Sequence, residues 1–318
     1  MDTFYVLFGM VLLFAALLIP GYILGKTKAI TDAAVTAFGN ILMYIAMPFL
    51  VFTKLLEIDL SQIGMSEILI SVFLPVGLEL ILILLCRVLY RGNPADNRAA
   101  VFCAVFPNCG FLGIPLAAAM WPALPEIVLY ISIFNVISTF MLLTVGVFLL
   151  SGDRKALRLK KTLISPIFCA ILAGVAASLL HVKEHFSWAY TYAQNLAQLT
   201  TPLAMISLGY ELSKLHILKM WLDIRVYFTA LTKLILSPLL AIGILAVLQY
   251  VVRLEITPSV VFAMLTATAV STAASAPAMA KKYGLDSAHA AALTLTNTLL
   301  CVVTLPMMYL LSEAIFSR

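Results

Sequence analysis

Long apolar runs, separated by short polar connections, fill almost the whole sequence. A membrane-spanning helix needs about 20 mainly apolar residues, and ten such runs fit into the 318 residues with only short connections. Of all residues, 63% are apolar and 11% are charged, whereas an ordinary soluble domain is roughly 45–50% apolar and roughly 25% charged. A soluble globule of this size could not cover so much apolar side chain with polar surface. The sequence therefore predicts an all-α polytopic membrane protein.

The ten apolar segments fall into two groups of five. The first group lies at about residues 4–25, 34–56, 66–90, 97–120 and 125–150. The second group lies at about residues 163–182, 188–212, 221–252, 258–281 and 287–315. Residues 151–162 form the most polar connection. We therefore predict a first five-helix repeat over 1–150, a basic cytoplasmic loop over 151–162 and a second repeat over 163–318.

Basic residues are distributed unequally between the two sides of this predicted bundle. With the N-terminus outside, the inner connections hold 15 Lys and Arg residues and the outer side holds 4. Because cytoplasmic loops are enriched in Lys and Arg, the asymmetry predicts a multi-pass membrane protein with both termini outside. The net charge of +5 is thereby explained by topology, and no nucleic-acid partner is expected.

Prolines, glycines and asparagines recur at matching places in the two groups. The matched landmarks are Asn40 and Pro48 with Asn195 and Pro202, Pro75 with Pro238, Gly113-Ile114-Pro115 with Ser275-Ala276-Pro277, and Asn135 with Asn297. The last two sets share an offset of 162 residues. Because each group has an odd number of spans, the second copy must be inverted relative to the first. Inverted repeats are typical of secondary transporters, whose substrates bind near the membrane midplane at broken helices.

The fourth and ninth segments contain residues that interrupt helices. These residues are Pro107, Gly110, Gly113 and Pro115 in the fourth segment, and Ser271, Thr272, Ser275 and Pro277 in the ninth. Proline removes a backbone donor and clashes with the preceding turn. Unpaired backbone inside a membrane is tolerated only where protein buries it or a cavity hydrates it. Two interrupted helices at corresponding positions therefore predict a binding site, and helix packing kinks are the alternative interpretation.

A break of this kind favours an anionic ligand. The half-helix after each break begins with free N–H groups and the positive end of its dipole, and amide and hydroxyl side chains add donors. The predicted substrate-binding residues are Asn108, Cys109, Gly110, Gly113, Ser271, Thr272 and Ser275. The predicted crossover and hinge residues are Pro107, Pro115, Pro277, Pro48 and Pro202.

Other polar residues within the apolar segments have two interpretations each. The amides of Asn135, Asn297, Asn40 and Asn195 either brace the backbone or line the site. Glu79 and Lys233 lie in the third and eighth segments, which are repeat mates. An isolated charge at such depth costs at least about 2.5 kcal/mol. The two residues therefore either form a structural ion pair or face a hydrated passage and couple proton movement to transport.

Four stretches of the sequence resemble the auxin efflux carrier family, which contains plant PIN carriers and bacterial malonate or malate permeases. They are FGNILMYIAMPFLVF (38–52), PNCGFLGIPL (107–116), TPLAMISLGYEL (201–212) and LTKLILSPLLA (231–241), and the resemblance extends over essentially the whole chain. It implies ten transmembrane helices in two inverted five-helix repeats, with broken helices 4 and 9 crossing at the site, and transport of small carboxylates. The long cytoplasmic loop of some plant members is absent, which argues against auxin itself.

With the resemblance, the predicted function is secondary active transport of small organic anions by alternating access, with a proton or sodium as coupling ion. The predicted location is the lipid bilayer of a bacterial-type inner membrane, with both termini in the periplasm. One alternative is a sodium-coupled carrier resembling the bile acid symporter family, and another is a membrane sensor that binds the anion without moving it. No cofactor, metal site or enzyme activity is expected, because the segments lack a histidine dyad or a second suitable carboxylate. A homodimer stays open, since lipid and a second copy are equally apolar partners.

Overall fold

The computed structural model describes residues 9, 12–13, 16–59, 61, 63–90, 94–152, 165–214 and 223–316, with the backbone alone for residues 94–96. Within these ranges the chain is helical and contains no β-strand, apart from one isolated backbone bridge. Much of the first predicted segment and most of the predicted loop 151–162 lie outside the described residues. The prediction of an all-α chain is confirmed for the part that is described.

Helices α1 to α6 belong to the first predicted repeat. Their bounds are Leu18–Lys26 for α1, Asp32–Leu55 for α2, Met65–Leu89 for α3, Pro94–Val105 for α4, Cys109–Met120 for α5 and Glu126–Ser151 for α6. Gly152, with a φ of 69° in the left-handed region, terminates α6, which is the usual role of glycine after a helix.

Helices α7 to α14 belong to the second predicted repeat. Their bounds are Pro166–Leu179 for α7, Val182–His185 for α8, Ser187–Ala197 for α9, Thr200–Ser213 for α10, Ile224–Val251 for α11, Pro258–Ala269 for α12, Ala276–Lys282 for α13 and Ser287–Phe316 for α14. The Ser165 hydroxyl caps α7 by accepting a hydrogen bond from the Phe168 N–H at 3.1 Å, as is typical of helix N-termini.

Five of these helices are long and apolar enough to cross a membrane: α2, α3, α6, α11 and α14. They correspond to the second, third, fifth, eighth and tenth predicted segments. The fourth segment instead consists of α4 and α5, the seventh of α9 and α10, and the ninth of α12 and α13. Large apolar side chains such as Phe73, Leu84 and Val303 are exposed on the long helices, as expected of a lipid-facing surface.

Widened π-helical turns precede three of the prolines. Such turns occupy Leu42–Ala46, Cys109–Gly113 and Leu231–Leu236, and Pro48, Pro115 and Pro238 each follow two residues after the turn ends. Proline lacks the N–H of a regular helical turn and its ring clashes with the carbonyl four residues earlier. A local π-turn is one of the known ways to accommodate that disruption within a helix.

The helices pack as two bundles. The first bundle consists of α1, α2, α7, α9 and α10, and the second consists of α3, α4, α6, α11, α12, α13 and α14. Helix α6 also contacts α2 and α7 of the first bundle, while α5 packs against α6 and α12 of the second bundle and contacts α10 of the first. The two interrupted segments therefore lie in or against the second bundle, with α5 facing both.

The closest backbone approach in the first bundle is between α1 and α10. A methyl group added to Gly21 of α1 would lie 2.1 Å from the backbone oxygen of Ile206, and one added to Gly209 of α10 would lie 2.0 Å from the backbone oxygen of Leu18. Small residues allow helices to approach closely in membranes, where packing rather than the hydrophobic effect drives their association. The glycines thus set the distance between α1 and α10.

We expect Gly209→Ala to destabilise the protein, because its methyl group would overlap the backbone of α1 and force the helices apart. Overpacking of this kind typically costs about 1–3 kcal/mol. The matched control is Gly243→Ala in α11, where an added methyl group meets nothing within 4 Å. Thermal unfolding of the purified protein in detergent measures both effects. Equal midpoints for the two variants would contradict the close packing of α1 on α10.

Candidate functional site at the crossover of two interrupted helices

The two interrupted segments meet at their breaks. Helix α4 ends at Val105 and α5 begins at Cys109, while α12 ends at Ala269 and α13 begins at Ala276. Between them, Pro107 and Thr272 form an antiparallel backbone bridge. The Asn108 N–H donates to the Ser271 carbonyl at 2.7 Å, and the Ala273 N–H donates to the Phe106 carbonyl at 2.9 Å. Residues more than 160 positions apart in the sequence are thus paired through their backbones.

This bridge explains why proline is compatible with the break. In an antiparallel pair, two opposed residues can lie at a position where neither donates a hydrogen bond to the other. Pro107 and Thr272 occupy such a position, because both hydrogen bonds are made by their neighbours. The missing N–H of Pro107 therefore leaves no partner unpaired, which matters where water cannot replace a lost hydrogen bond.

Side chains extend the hydrogen bonding at the crossover. The Asn297 amide nitrogen on α14 donates to the Thr272 hydroxyl oxygen at 2.8 Å, and that hydroxyl donates to the Cys103 carbonyl at 2.7 Å. Cys103 lies in the last turn of α4, where backbone carbonyls lack partners within the helix. All three residues are buried. Thr272 and Asn297 therefore connect α4, the break in the ninth segment and α14.

Three buried polar atoms at the crossover have no hydrogen-bond partner among the described residues. They are Asn108 Nδ2, Ser271 Oγ and Asn297 Oδ1. The three residues are between 0% and 3% exposed. An unpaired polar atom at such burial costs about 1–3 kcal/mol, and each one requires an explanation such as a functional role. The Asn108 amide nitrogen is a donor, the Asn297 oxygen is an acceptor and the Ser271 hydroxyl can act as either.

The other predicted contacts in the fourth segment pack against α6. The Cys109 thiol donates to the Ile131 carbonyl at 3.7 Å, and a methyl group added to Gly113 would lie 3.2 Å from the Ile131 side chain. A methyl group added to Gly110 would lie 3.3 Å from Asn135 Oδ1. The amide of Asn135 therefore lies against the turn that follows the break, as the amide of Asn297 lies against Thr272.

The structure separates the remaining predicted residues by exposure. Pro107 and Pro115 are buried and Pro48, Pro277 and Asn135 are half-buried, whereas Ser275, Asn40, Asn195 and Pro202 are exposed. Pro202 lies in the first turn of α10, where proline is tolerated, so the interruption of the seventh segment is at residues 198–199. Among the described residues, the crossover thus brings together Asn108, Ser271, Thr272 and Asn297, and does not include Asn40 or Asn195.

Glu79 and Lys233 are both about 1% exposed and interact electrostatically, and Cys109 lies within range of both. No salt bridge joins the two charged groups in the described structure. Instead, the Ser138 hydroxyl of α6 donates a short hydrogen bond to one carboxylate oxygen of Glu79, and the other oxygen has no partner among the described residues. Lys233 lies in the π-turn of α11. The two interpretations from the sequence, a structural ion pair or groups that couple proton movement, both stay predictions.

Sequence reasoning missed Ser138 as the partner of Glu79. Ser138 follows Asn135 by three residues, and residues three apart lie on the same face of a helix. The sequence had already identified Asn135 as a residue that braces or lines the site. The three-residue spacing therefore indicated that Ser138 lies on the same face of α6. No group of three or more His, Cys, Asp or Glu side chains within the described ranges is arranged to hold a metal ion.

Comparison with known proteins gives two matches. The family described as a membrane transport protein, which is the auxin efflux carrier family, matches residues 5–309. An uncharacterized transporter of Methanothermobacter thermautotrophicus is 27% identical over 242 residues, which cover 74% of this chain and 76% of that relative. The family match confirms the resemblance inferred from the four sequence stretches.

We expect Thr272→Val to destabilise the protein by about 1–3 kcal/mol, because it removes the acceptor of Asn297 and the donor to Cys103 while keeping the side-chain volume. The matched control is Thr298→Val, since the buried Thr298 hydroxyl donates only to the Thr294 carbonyl within its own helix, at 2.9 Å. Thermal unfolding in detergent compares the two variants. A Thr272→Val protein as stable as Thr298→Val would show that the connection across the crossover contributes nothing.

Proposed function

Because this chain belongs to the auxin efflux carrier family of membrane transport proteins, we propose that it is a secondary active transporter of small organic anions that works by alternating access. The observation that carries the proposal is the crossover itself, where two interrupted helices are joined backbone to backbone and leave buried donors without partners among the described residues. An anion that entered the crossover could accept hydrogen bonds from these unpaired donors.

The site we propose centres on Asn108 and Ser271. The Asn108 amide nitrogen and the Ser271 hydroxyl can both donate to a carboxylate, and the N-terminal ends of the half-helices add favourable dipoles. Thr272 holds the backbone in place, and Cys109, Gly110 and Gly113 place the turn of α5 against α6. Ser275, exposed at the beginning of α13, would meet a substrate that enters from that side. Dicarboxylates such as malate and malonate, or an auxin-like acid, follow from the family resemblance.

The same contacts support an inverted-repeat plan of ten transmembrane helices. Asn135 lies beside Gly110, and Asn297 lies beside Thr272. Both members of the second pair follow the first by 162 residues. In this plan α4 and α5 form the fourth transmembrane helix, and α12 and α13 form the ninth. The repeats then cover residues 1–150 and 163–318. The basic loop 151–162 would lie on the cytoplasmic side of an inner membrane, and both termini would lie on the periplasmic side.

Alternating access would be a movement of the second bundle relative to the first. The crossover lies in the second bundle, and α5 and α6 contact the first. Substrate would therefore be carried with the second bundle while α1 and α10 stay locked by their glycine contact. We propose one hinge in α2, at the half-buried Pro48 and the widened turn before it, and a second in the seventh segment, at the interruption 198–199 just before Pro202.

We expect purified protein in proteoliposomes to take up malate or malonate, and Asn108→Leu and Ser271→Ala to abolish or strongly reduce uptake. Thr36→Val is the control, because Thr36 is exposed on α2 and donates only to the Asp32 carbonyl. Unfolding midpoints must stay near wild type for all three variants. Wild-type affinity in both site variants would contradict the assignment of the site.

We propose that Glu79 and Lys233 couple transport to protons. Burial disfavours the charged form of each group, and they interact without forming a salt bridge, so a proton can be exchanged without breaking a direct pair. The structural alternative is a fixed electrostatic contact between α3 and α11.

We expect uptake by wild type to follow an imposed pH gradient, and Glu79→Gln and Lys233→Met to remove that dependence while substrate binding remains. Glu211→Gln is the control, because the exposed Glu211 pairs with Lys214 at 3.1 Å on the surface. Uptake that stays dependent on the pH gradient in both Glu79→Gln and Lys233→Met would eliminate proton coupling through this pair.

A sodium-coupled carrier is the second candidate, and a specific observation favours it. Glu79 Oε2 and Asn297 Oδ1 are buried oxygen acceptors without donors among the described residues, and such oxygens suit a hard cation. Replacing sodium by choline in the same uptake assay separates the two couplings, since only a sodium-coupled carrier would stop. Binding of the acid without any flux would indicate a sensor instead.

A further inference from the structure

A cavity of about 600 Å³ lies apart from the crossover, where α3 ends, α4 begins and α6 ends. Its polar lining includes Arg87 of α3 and Arg98 of α4, together with Tyr90. The distribution of basic residues in the sequence predicts that this end of the bundle faces the cytoplasm. Nothing in the proposed transport site uses these two arginines.

The two guanidinium groups line one cavity without a neutralising partner in the described structure. None of the described lining residues is acidic, and no salt bridge between described residues involves Arg87 or Arg98. Arg98 makes a single long contact, from Nη1 to the Leu150 carbonyl at 3.5 Å. Two positive charges that share a cavity repel each other unless an anion lies between them.

The left-handed backbone conformation of Gly152, which has no side chain, leaves space for the guanidinium group of Arg98. Gly152 has a φ of 69°, and a methyl group added to it would lie 2.9 Å from Arg98 Nη2. A side chain at this position would therefore both strain the backbone and displace the guanidinium group. The end of α6 is thus shaped to hold Arg98 at the cavity.

The rest of the cavity is apolar and continues onto the outer surface of the bundle. Ile83, Val101 and Phe148 form its apolar walls. Leu84, three residues before Arg87, is 60% exposed, and Val88, the next residue, is 66% exposed. Residues three apart on a helix are neighbours, so Arg87 lies beside apolar surface that faces lipid. A ligand that fits both the arginine-lined cavity and the apolar surface beside it would carry an anionic group and a hydrocarbon chain.

We propose that this cavity binds an anionic phospholipid, with its phosphate held between Arg87 and Arg98 and an acyl chain along α3. Arginine forms strong charge-assisted hydrogen bonds to phosphate, and basic pockets between transmembrane helices on the cytoplasmic side recognise anionic headgroups. A free phosphate ion shares the headgroup chemistry but would not use the apolar surface.

The test is lipid binding by the delipidated full chain in neutral detergent, measured by native mass spectrometry with phosphatidylglycerol and phosphatidylcholine. We expect wild type to prefer phosphatidylglycerol, and Arg87→Gln to weaken its binding about tenfold, which corresponds to one lost charge-assisted contact. Lys281→Gln is the control, because Lys281 is an exposed basic residue outside the cavity on the same predicted side. Arg87 is also exposed, so its substitution should leave the fold intact.

Three results would overturn the proposal. Equal phosphatidylglycerol binding by wild type and Arg87→Gln would show that Arg87 is not a headgroup ligand. Equal binding of phosphatidylglycerol and phosphatidylcholine by wild type would show that the site does not select for charge. Displacement of the lipid by inorganic phosphate at millimolar concentration would assign the two arginines to a soluble anion. Arg98→Gln provides a second variant, with its unfolding midpoint measured alongside because Arg98 contacts the end of α6.

Discussion

The backbone hydrogen bonds between the two interrupted helices are the interaction on which the rest of this structure depends. A break inside an apolar bundle exposes N–H and carbonyl groups that water cannot reach, and each unpaired group is costly. Here Asn108 and Ala273 donate to carbonyls across the crossover, and the Thr272 hydroxyl satisfies a carbonyl at the end of α4. Each break is therefore stabilised by the other, so neither segment would keep its shape alone.

Some polar side chains at the crossover are hydrogen-bonded to the protein and others are not, and this difference separates structural roles from proposed ligand-binding roles. The Thr272 hydroxyl and the Asn297 amide nitrogen both form hydrogen bonds that connect the parts of the crossover. Asn108 Nδ2 and Ser271 Oγ are buried just as deeply but have no partner among the described residues. The proposed anion site follows from that difference. Substituting Thr272 should affect stability first, whereas substituting Asn108 should affect binding first.

Two further places in the bundle hold charged side chains that no salt bridge between described residues joins, and their surroundings imply different roles. Glu79 and Lys233 are completely buried close to Cys109 at the crossover, and this proximity is why we propose that their protonation is coupled to the anion site. Arg87 and Arg98 instead line a cavity beside lipid-facing side chains. There the proposed anionic lipid would supply the counter-charge and anchor α3 and α4 to the end of α6.

The sequence by itself determined the helical class, the membrane character and the location of the two breaks, because hydropathy, proline and glycine act locally. It also identified Asn135 and Asn297 as equivalent positions, since their spacing from the breaks is the same. Only the tertiary structure decided which polar groups are satisfied, because Phe106 to Asn108 pair with residues more than 160 positions away. The exposure of Ser275 likewise depends on how distant helices pack and leaves no local signal.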